Sequence, residues 1–280
     1  MIRIKKGWLV SSVTLLFFLM FLAFERVFEI PEAPSLANHN KNANCVSYTP
    51  TSVINIAKPL SIAVWNIYKQ KLAGWEDELL FLSKKSSLIL LQEAQSTVAL
   101  QKYISARRWH SNQVFAFAIH GEIAGVMTLS NFIPEQVCAY TKIEPYLRLP
   151  KSALHSEFPL SNGQTLSVIN IHSINFTFGI DEYKQQLYAL FEAIASLEGP
   201  LIIAGDFNTW SLQRLGAMKA ELIRAGLIEA SIDPDERLTI FKLPLDHIYY
   251  RGLTLDSASS QKTNASDHAI NMATFSFFTD

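Results

Sequence analysis

LIIAGDFN (residues 201–208) is an apolar run that ends in a carboxylate and an amide. Gly199-Pro200 opens it cleanly, Leu201–Gly205 reads as a strand, and Asp206 and Asn208 share one side of the chain by the two-residue repeat of extended backbone. Strand ends are where an α/β sandwich delivers side chains that must meet at one spot. Five more clusters lie beside apolar runs: SIAVWN (61–66), LILLQE (88–93), SVINIH (167–172), LDHIYY (245–250) and SDH (266–268). Together they hold carboxylates, amides and histidines, with no Ser or Cys nucleophile beside a base. That inventory suits hydrolysis of a phosphate ester by metal-activated water.

Outward from these clusters, strands and helices alternate from Pro59 onward. SIAVWNI and LILLQ are buried strands; GWEDELLFLSKK is a helix starting near Gly74, and STVALQKYISARRW a second with Ser96 as N-cap. Residues 114–119, 125–130, 135–140, 153–158 and 165–171 read as successive strands of an antiparallel meander. A long amphipathic helix follows, Asp181 to Leu197, with Tyr183, Leu187, Leu190, Phe191, Ile194 and Leu197 on one face. LIIAG, the helix SLQRLGAMKAELIRAG ending at Gly226, and the strands HIYYRGL and INMATFSFF complete the chain. Two strand-rich sheets with helices outside make a four-layer α/β/β/α sandwich.

The chain has 280 residues, 49% of them hydrophobic, which supports a sizeable core. Residues 1–7 carry Arg3, Lys5 and Lys6, and 8–24 (WLVSSVTLLFFLMFLAF) is an uncharged stretch closed by Glu25 and Arg26. At ~1.5 Å per residue it spans roughly 25 Å, near the lower limit for a membrane helix. An uncleaved anchor is preferred to a cleaved signal, and positive-inside bias sends the remainder outward. The expectation is a single-pass inner-membrane protein with a periplasmic domain; cleavage and secretion, or a cytoplasmic domain, are the alternatives. Residues 25–58, rich in Pro, Asn, Ser and Ala, read as a linker, and 59–280 as the functional domain. The net charge is −1; without the three N-terminal cations, 21 basic residues face 25 acidic ones, a balance of −4. A basic excess for gripping long nucleic acid is therefore absent, although a local basic groove remains open. Cys45 and Cys138 form either one disulfide pinning the linker or two unrelated thiols.

The order and wording of the clusters resemble the endonuclease/exonuclease/phosphatase superfamily, which includes DNase I, exonuclease III, neutral sphingomyelinases and inositol-polyphosphate 5-phosphatases. The resemblance covers about residues 60–280. VWNIYKQ, LLQEAQ, GVMTLS, LRLPKSAL, VINIH, AGDFNTWS, LDHIYYRGL and ASDH look closest to an uncharacterised group of bacterial proteins within it. The implied fold is the DNase I-like four-layer sandwich, preceded here by one N-terminal transmembrane helix. Glu93 is implied as the principal ligand of Mg²⁺, with Mn²⁺ or Ca²⁺ as alternatives, and Asn66 and Asp267 complete the metal side. Asn66 doubles as a phosphate contact. His172 is similar to the histidine that steadies the scissile phosphate, with Asn170, two residues earlier on the same strand face, lining the site. Asp206 positions or activates the water, and Asn208 donates to the phosphate. Asp246 orients His268, which serves as general base or, protonated, as a phosphate contact. His247 is read as structural.

Many relatives place Arg or Lys after the LS of the GVMTLS strand, whereas this chain has Asn131. Lys69, Lys151, Arg214 and Arg251 are weaker candidates for phosphate contact, Arg251 being kept as substrate-binding. Trp65, Tyr68 and Trp210 flank the motifs, more in keeping with packing than with stacking on a substrate. The expected activity is a metal-dependent phosphoesterase acting on a phosphodiester, either nucleic acid or a phospholipid head group. A non-catalytic binding module on the same fold and a phosphomonoesterase are the alternatives. A monomer, held to the membrane by its N-terminal helix, is expected.

Overall fold

The computed structural model describes residues 19, 24–37, 43–177, 179–194 and 197–278. Its central strands are apolar on both faces. In β3 (Leu60–Asn66) and β4 (Leu88–Gln95), Ile62, Val64, Leu88 and Leu90 face one core, while Ala63, Trp65, Ile89 and Leu91 face another. In β10 (Thr165–His172) and β11 (Leu201–Asp206), Val168, Ile202 and Ala204 join the first core and Ile169, Ile171 and Ile203 a third. A strand with no polar face must be covered on both sides. The first core is therefore the seam between two sheets, and helices close the outer faces. α1 (Trp75–Lys85) and α2 (Val98–Ala106) supply Trp75, Leu79, Leu82 and Leu100 over one sheet. α3 (Asp181–Ile194) and α4 (Leu212–Arg224) supply Tyr183, Leu187, Met218 and Leu222 over the other. The layering is α/β/β/α, as the sequence predicts. The N-cap of α2 is Thr97, whose hydroxyl accepts from Leu100 N, and not the neighbouring Ser96.

One sheet runs in the order β1 (Phe28–Glu29), β6 (Phe117–Ile119), β7 (Glu122–Ser130), β4, β3, β17 (Ile270–Phe277), β16 (Leu253–Gln261), with β5 (His110–Gln113) also paired to β7. The other runs β12 (Ile228–Glu229), β15 (Asp246–Arg251), β11, β10, β9 (Pro150–Pro159), β8 (Gln136–Ile143), β2 (Cys45–Ser47). β13 (Thr239–Ile240) and β14 (Leu243–Pro244) form a small separate hairpin. The pairs β3–β4 and β10–β11 are parallel, each closed by a helical crossover, so their carboxyl ends point the same way as their neighbour's. β15 is antiparallel to β11 with Asp246 opposite Asp206, which brings its first residue to the same edge.

Residues 25–58, expected as a tether, instead contribute strands to both sheets. β1 pairs with β6, β2 pairs with β8, and Leu36 and Ile54, both buried, bridge to Val114 and Leu160. Strands of two or three residues carry no readable apolar period, which is why the segment looks like linker. The register sets Cys45 opposite Cys138, and the two are disulfide-bonded. Of the apolar stretch 8–24, only Leu19 and Phe24 are among the described residues, so the expected membrane helix lies outside them. Among the described residues no helix is long and apolar enough to cross a membrane.

Candidate active site

Four strand ends and one loop meet at a single edge of the sandwich. Asp206 ends β11 and is buried at its centre: Oδ2 accepts from Asn66 Nδ2 at 3.1 Å and lies 3.4 Å from His172 Nε2 and 3.8 Å from His268 Nε2, while Oδ1 accepts from Asn208 N at 2.9 Å. The preceding residue must be glycine. Gly205 has φ +146°, and a Cβ there would sit 1.9 Å from the Ile171 carbonyl oxygen. Close approach of β10 and β11 thus sets His172 beside Asp206.

Glu93 reaches the site through a break in its strand. The register of β4 against β7 shifts between Leu91 and Ala94, and Glu93 takes φ +53°. A bulge of this kind re-aims a side chain that regular alternation would send elsewhere. The carboxylate pairs with Lys69 Nζ and lies 3.9 Å from His172 Nε2. Burial works to raise its pKa, but Lys69, Lys151 and His268 outweigh it and hold Glu93 below its ordinary range. Lys69 itself sits in a left-handed turn, Tyr68–Gln70, all three at positive φ, immediately after β3.

The two histidines are driven apart. His268 Nδ1 is 2.8 Å from Asp246 Oδ2. Burial opposes a charged ring, yet Asp246, Asp206 and Asp267 prevail and raise its pKa to about 10, so His268 is an imidazolium at neutral pH. His172 is the reverse: burial and the Lys151 ammonium push its pKa well below the ordinary value. Lys151 Nζ lies 2.8 Å from His172 Nε2, where an ammonium can only donate to a neutral ring. Burial in turn lowers Lys151, partly offset by Glu93, Glu144 and Asp206.

Two expected roles, those of Asn170 and Arg251, need correction, and the other residues are placed as follows. Asn170 was expected to line the substrate site, but it is wholly buried: Nδ2 donates to the Leu91 and Met127 carbonyls, and Oδ1 accepts from Gln92 Nε2. It fastens one sheet to the other. Arg251 lies at the opposite end of β15 from Asp246, ~16 Å away at ~3.3 Å per residue, where it donates to the Ala225 and Leu197 carbonyls. Asp267 is exposed, and its Oδ1 accepts a long 3.4 Å bond from Ser266 Oγ. Asn66 Oδ1, expected at the metal, accepts from Tyr68 N and so caps the turn that carries Lys69. Asn208 spends one amide hydrogen on the Ser173 carbonyl. Arg214 is fully buried, donating to the Ile174, Asn175 and Asn208 carbonyls beneath the rings of Trp210 and Tyr183. His247 is held by Glu229 and Thr209, in keeping with a structural residue. Trp65 is buried in the core.

Of the weaker candidates, Lys69 and Lys151 are brought into the site. Glu144 escapes sequence reading altogether. Buried at the end of β8, it accepts from the backbone N–H groups of Asn175 and Phe176 with Oε1, fixing the loop after His172. Nothing in KIEPY announces it.

The donor set fits a hard divalent cation. Ligand atoms of Asp206, Asp246 and His268 lie within 4.8 Å of one another, and Asp246 Oδ1 is buried without a hydrogen-bond partner. A protonated His268 already committed to Asp246 is a poor ligand, however. Glu93 is better placed, since it is ionised and faces a cavity of about 340 Å³ lined also by Lys69, Lys151 and His172.

Residues 63–268 match the Endonuclease/Exonuclease/phosphatase family. The UPF0294 protein of Vibrio vulnificus strain YJ016 is 43% identical over 282 residues, covering 99% of each chain. Among solved structures, the endonuclease/exonuclease/phosphatase of Beutenbergia cavernae superposes with a TM-score of 0.62 at 13% identity, over 78% of this chain and 72% of that one. D. rerio TDP2, complexed with single-strand DNA product, gives 0.55 at 18% identity, over 78% of this chain and 98% of that one. At such identities these two show a shared fold, and it is the α/β DNase I-like one.

Proposed function

The chain belongs to the endonuclease/exonuclease/phosphatase family, and from that membership we propose that it hydrolyses a phosphodiester with the help of a divalent cation. Members of the family are hydrolases of phosphate esters and are generally dependent on such an ion. The observation that carries the reading is the meeting of Glu93, His172, Asp206 and the Asp246–His268 pair at one sheet edge beside a cavity.

Glu93 would hold the ion, with the Asp206–Asp246 carboxylates near it; Mg²⁺ is the default and Mn²⁺ or Ca²⁺ the alternatives. When bound, it would neutralise charge on the phosphoryl oxygens and make the attacking water more acidic. Asp206, fixed by Asn66 and the Asn208 N–H, orients the attacking water with Oδ2 and receives its proton. His268, kept charged by Asp246, donates from Nε2 to the phosphate as the pentacoordinate transition state gains charge. Lys151 and Lys69 balance the remaining charge, and neutral His172 holds Lys151 in place. Water adds to phosphorus, one ester P–O bond breaks, and the leaving oxygen takes up a proton from solvent as Asp206 releases its own, so that the products are a phosphate monoester and an alcohol. Asn66, Asn208 and Asp246 are positioning residues, and Asp267 adds only to the field at His268.

The setting we propose is the periplasmic face of an inner membrane. The cationic start of the chain and its 17 uncharged residues support it, as does the Cys45–Cys138 disulfide, which persists in an oxidising compartment. Turnover of bis(p-nitrophenyl) phosphate by the full chain with Mg²⁺ tests the enzyme. Glu93→Gln, Asp206→Asn and His268→Ala lower kcat by ~10²–10⁴-fold with unchanged circular dichroism. Undiminished turnover in all three would refute the assignment.

A further inference from the structure

The lining of the site cavity is of two chemical kinds. Lys69, Glu93, Lys151 and His172 make up one, and Phe28, Phe117, Ile119, Leu147, Leu149 and Phe176 the other. A second hollow of about 440 Å³ continues from it, sharing Leu147 and Phe176 and adding Tyr146 and Trp210. Beside it the rim is apolar: Ile143, Tyr146, Leu147 and Phe176 are each about half exposed. Lys142 and exposed Arg148 flank this loop, a pattern of apolar and aromatic side chains between cations that suits a membrane interface.

The wall of the cavity is also where the chain's apolar N-terminal stretch arrives. Phe24, its last residue, packs its ring 4.9 Å from that of Phe28, and Phe28 meets Phe117 edge-on at 6.3 Å. An unbroken line of rings therefore joins the end of the 8–24 stretch to the inside of the cavity.

Resting on the phosphodiesterase reading above and on 8–24 as an anchor, we propose that the substrate is a lipid phosphodiester taken from the membrane that holds the chain. Its phosphate faces Lys69, Lys151 and His172, and its apolar body lies against Phe28, Phe117 and Phe176. Charge complementarity favours this occupant over a nucleic acid. A polynucleotide presents a row of phosphates and calls for a track of cations. Among the described residues only Lys69 and Lys151 bring positive charge to the cavity lining. Arg214 is buried beneath the loops, and Arg251 is at the other end of its strand.

The test uses the full chain in vesicles of phosphatidylethanolamine and phosphatidylglycerol with Mg²⁺. Three rates are compared: hydrolysis of the vesicle lipid, of a single-stranded DNA oligonucleotide, and of bis(p-nitrophenyl) phosphate. Lipid is expected to be cleaved with the highest kcat/KM. Phe28→Ser and the half-exposed Phe176→Ser each lower the lipid rate relative to the soluble-diester rate by about tenfold or more, as loss of an aromatic ring that the bound lipid would cover implies. Preference for DNA, or cleavage of the soluble diester without cleavage of lipid, overturns the proposal and leaves the phosphodiesterase standing. A proportional fall of both rates in the two variants also overturns it. Failure to cleave even the soluble diester overturns the enzyme reading beneath it.

Discussion

Replacing Asn170 with leucine removes a carboxamide that makes three hydrogen bonds where the sheets meet: 3.1 Å to the Leu91 carbonyl, 3.0 Å to the Met127 carbonyl, and 2.7 Å from Gln92 Nε2. Gln92 Nε2 keeps a partner in the Leu90 carbonyl, so its loss is the smallest. Each bond lost from a buried partner costs ~1–2 kcal/mol here, and three make ~3–6 kcal/mol. Burying the leucine side chain returns ~1–2 kcal/mol, which leaves a net loss of ~2–4 kcal/mol. For a domain of this size ~1 kcal/mol moves Tm by ~2–4 °C, so the expected fall is ~5–15 °C. Thermal melts followed by circular dichroism read it directly. Steady-state kinetics on a soluble diester, run well below the lowered Tm, should show KM little changed. The double variant Gln92→Leu/Asn170→Leu should recover part of the loss, because it removes the orphaned donor. A variant that melts within ~2 °C of the parent but binds substrate poorly would refute the reasoning and return Asn170 to the substrate site.

Three other outcomes are expected. Calorimetric titration of Mg²⁺ should show an affinity about tenfold or more weaker for Glu93→Gln and little changed for Asp246→Asn; equal losses would put the ion on the Asp206–Asp246–His268 cluster. By NMR in the metal-free chain the His268 ring should titrate at about pH 10, and Asp246→Asn should bring that midpoint down. Since the folded value exceeds the unfolded ~6.5, the group's contribution to stability is complete below ~6.5 and is lost as pH rises through about 10; a wild-type ring titrating at its ordinary value would refute the pairing. Removing the disulfide by Cys45→Ser/Cys138→Ser should cost ~2–4 kcal/mol, read as a lower denaturant midpoint, and an unchanged midpoint would mean that the 43–58 segment docks without it.

The layers were legible because both faces of the central strands are buried, leaving uninterrupted apolar runs that end in the residues of interest. Asp206, His172 and Asp246 were legible for the same reason, since each stands at one end of such a run. Asn170 was misread because the two-residue alternation that puts it on the face of His172 says nothing about depth. One residue pair inward from the edge, the same face is the sealed seam between the sheets. Arg251 was misread because β15 enters the site with its first residue, which sends its last to the far end. Glu93 depends on a register shift and a positive φ that LLQEAQ does not reveal. Lys69 and Lys151 lie on a left-handed turn and on a neighbouring strand, so their meeting at Glu93 and His172 is a product of the fold. The edge strands of 25–58 are too short to show a period.

His172 and His268 share one neighbour, Asp206 Oδ2, at 3.4 and 3.8 Å, and yet hold opposite charge states. The difference is set by the groups behind them. Asp246 stands behind His268 and stabilises its charged ring, whereas the Lys151 ammonium in front of His172 makes a second cation costly. Environments that push two titratable groups apart assign them different work. A ring that stays protonated near neutral pH can give a hydrogen bond to an oxygen gaining charge but cannot take a proton from water. That leaves Asp206 as the acceptor, which is why the proposed mechanism places the water there. Lys151 serves two ends at once, since the same ammonium that keeps His172 neutral brings positive charge to the cavity.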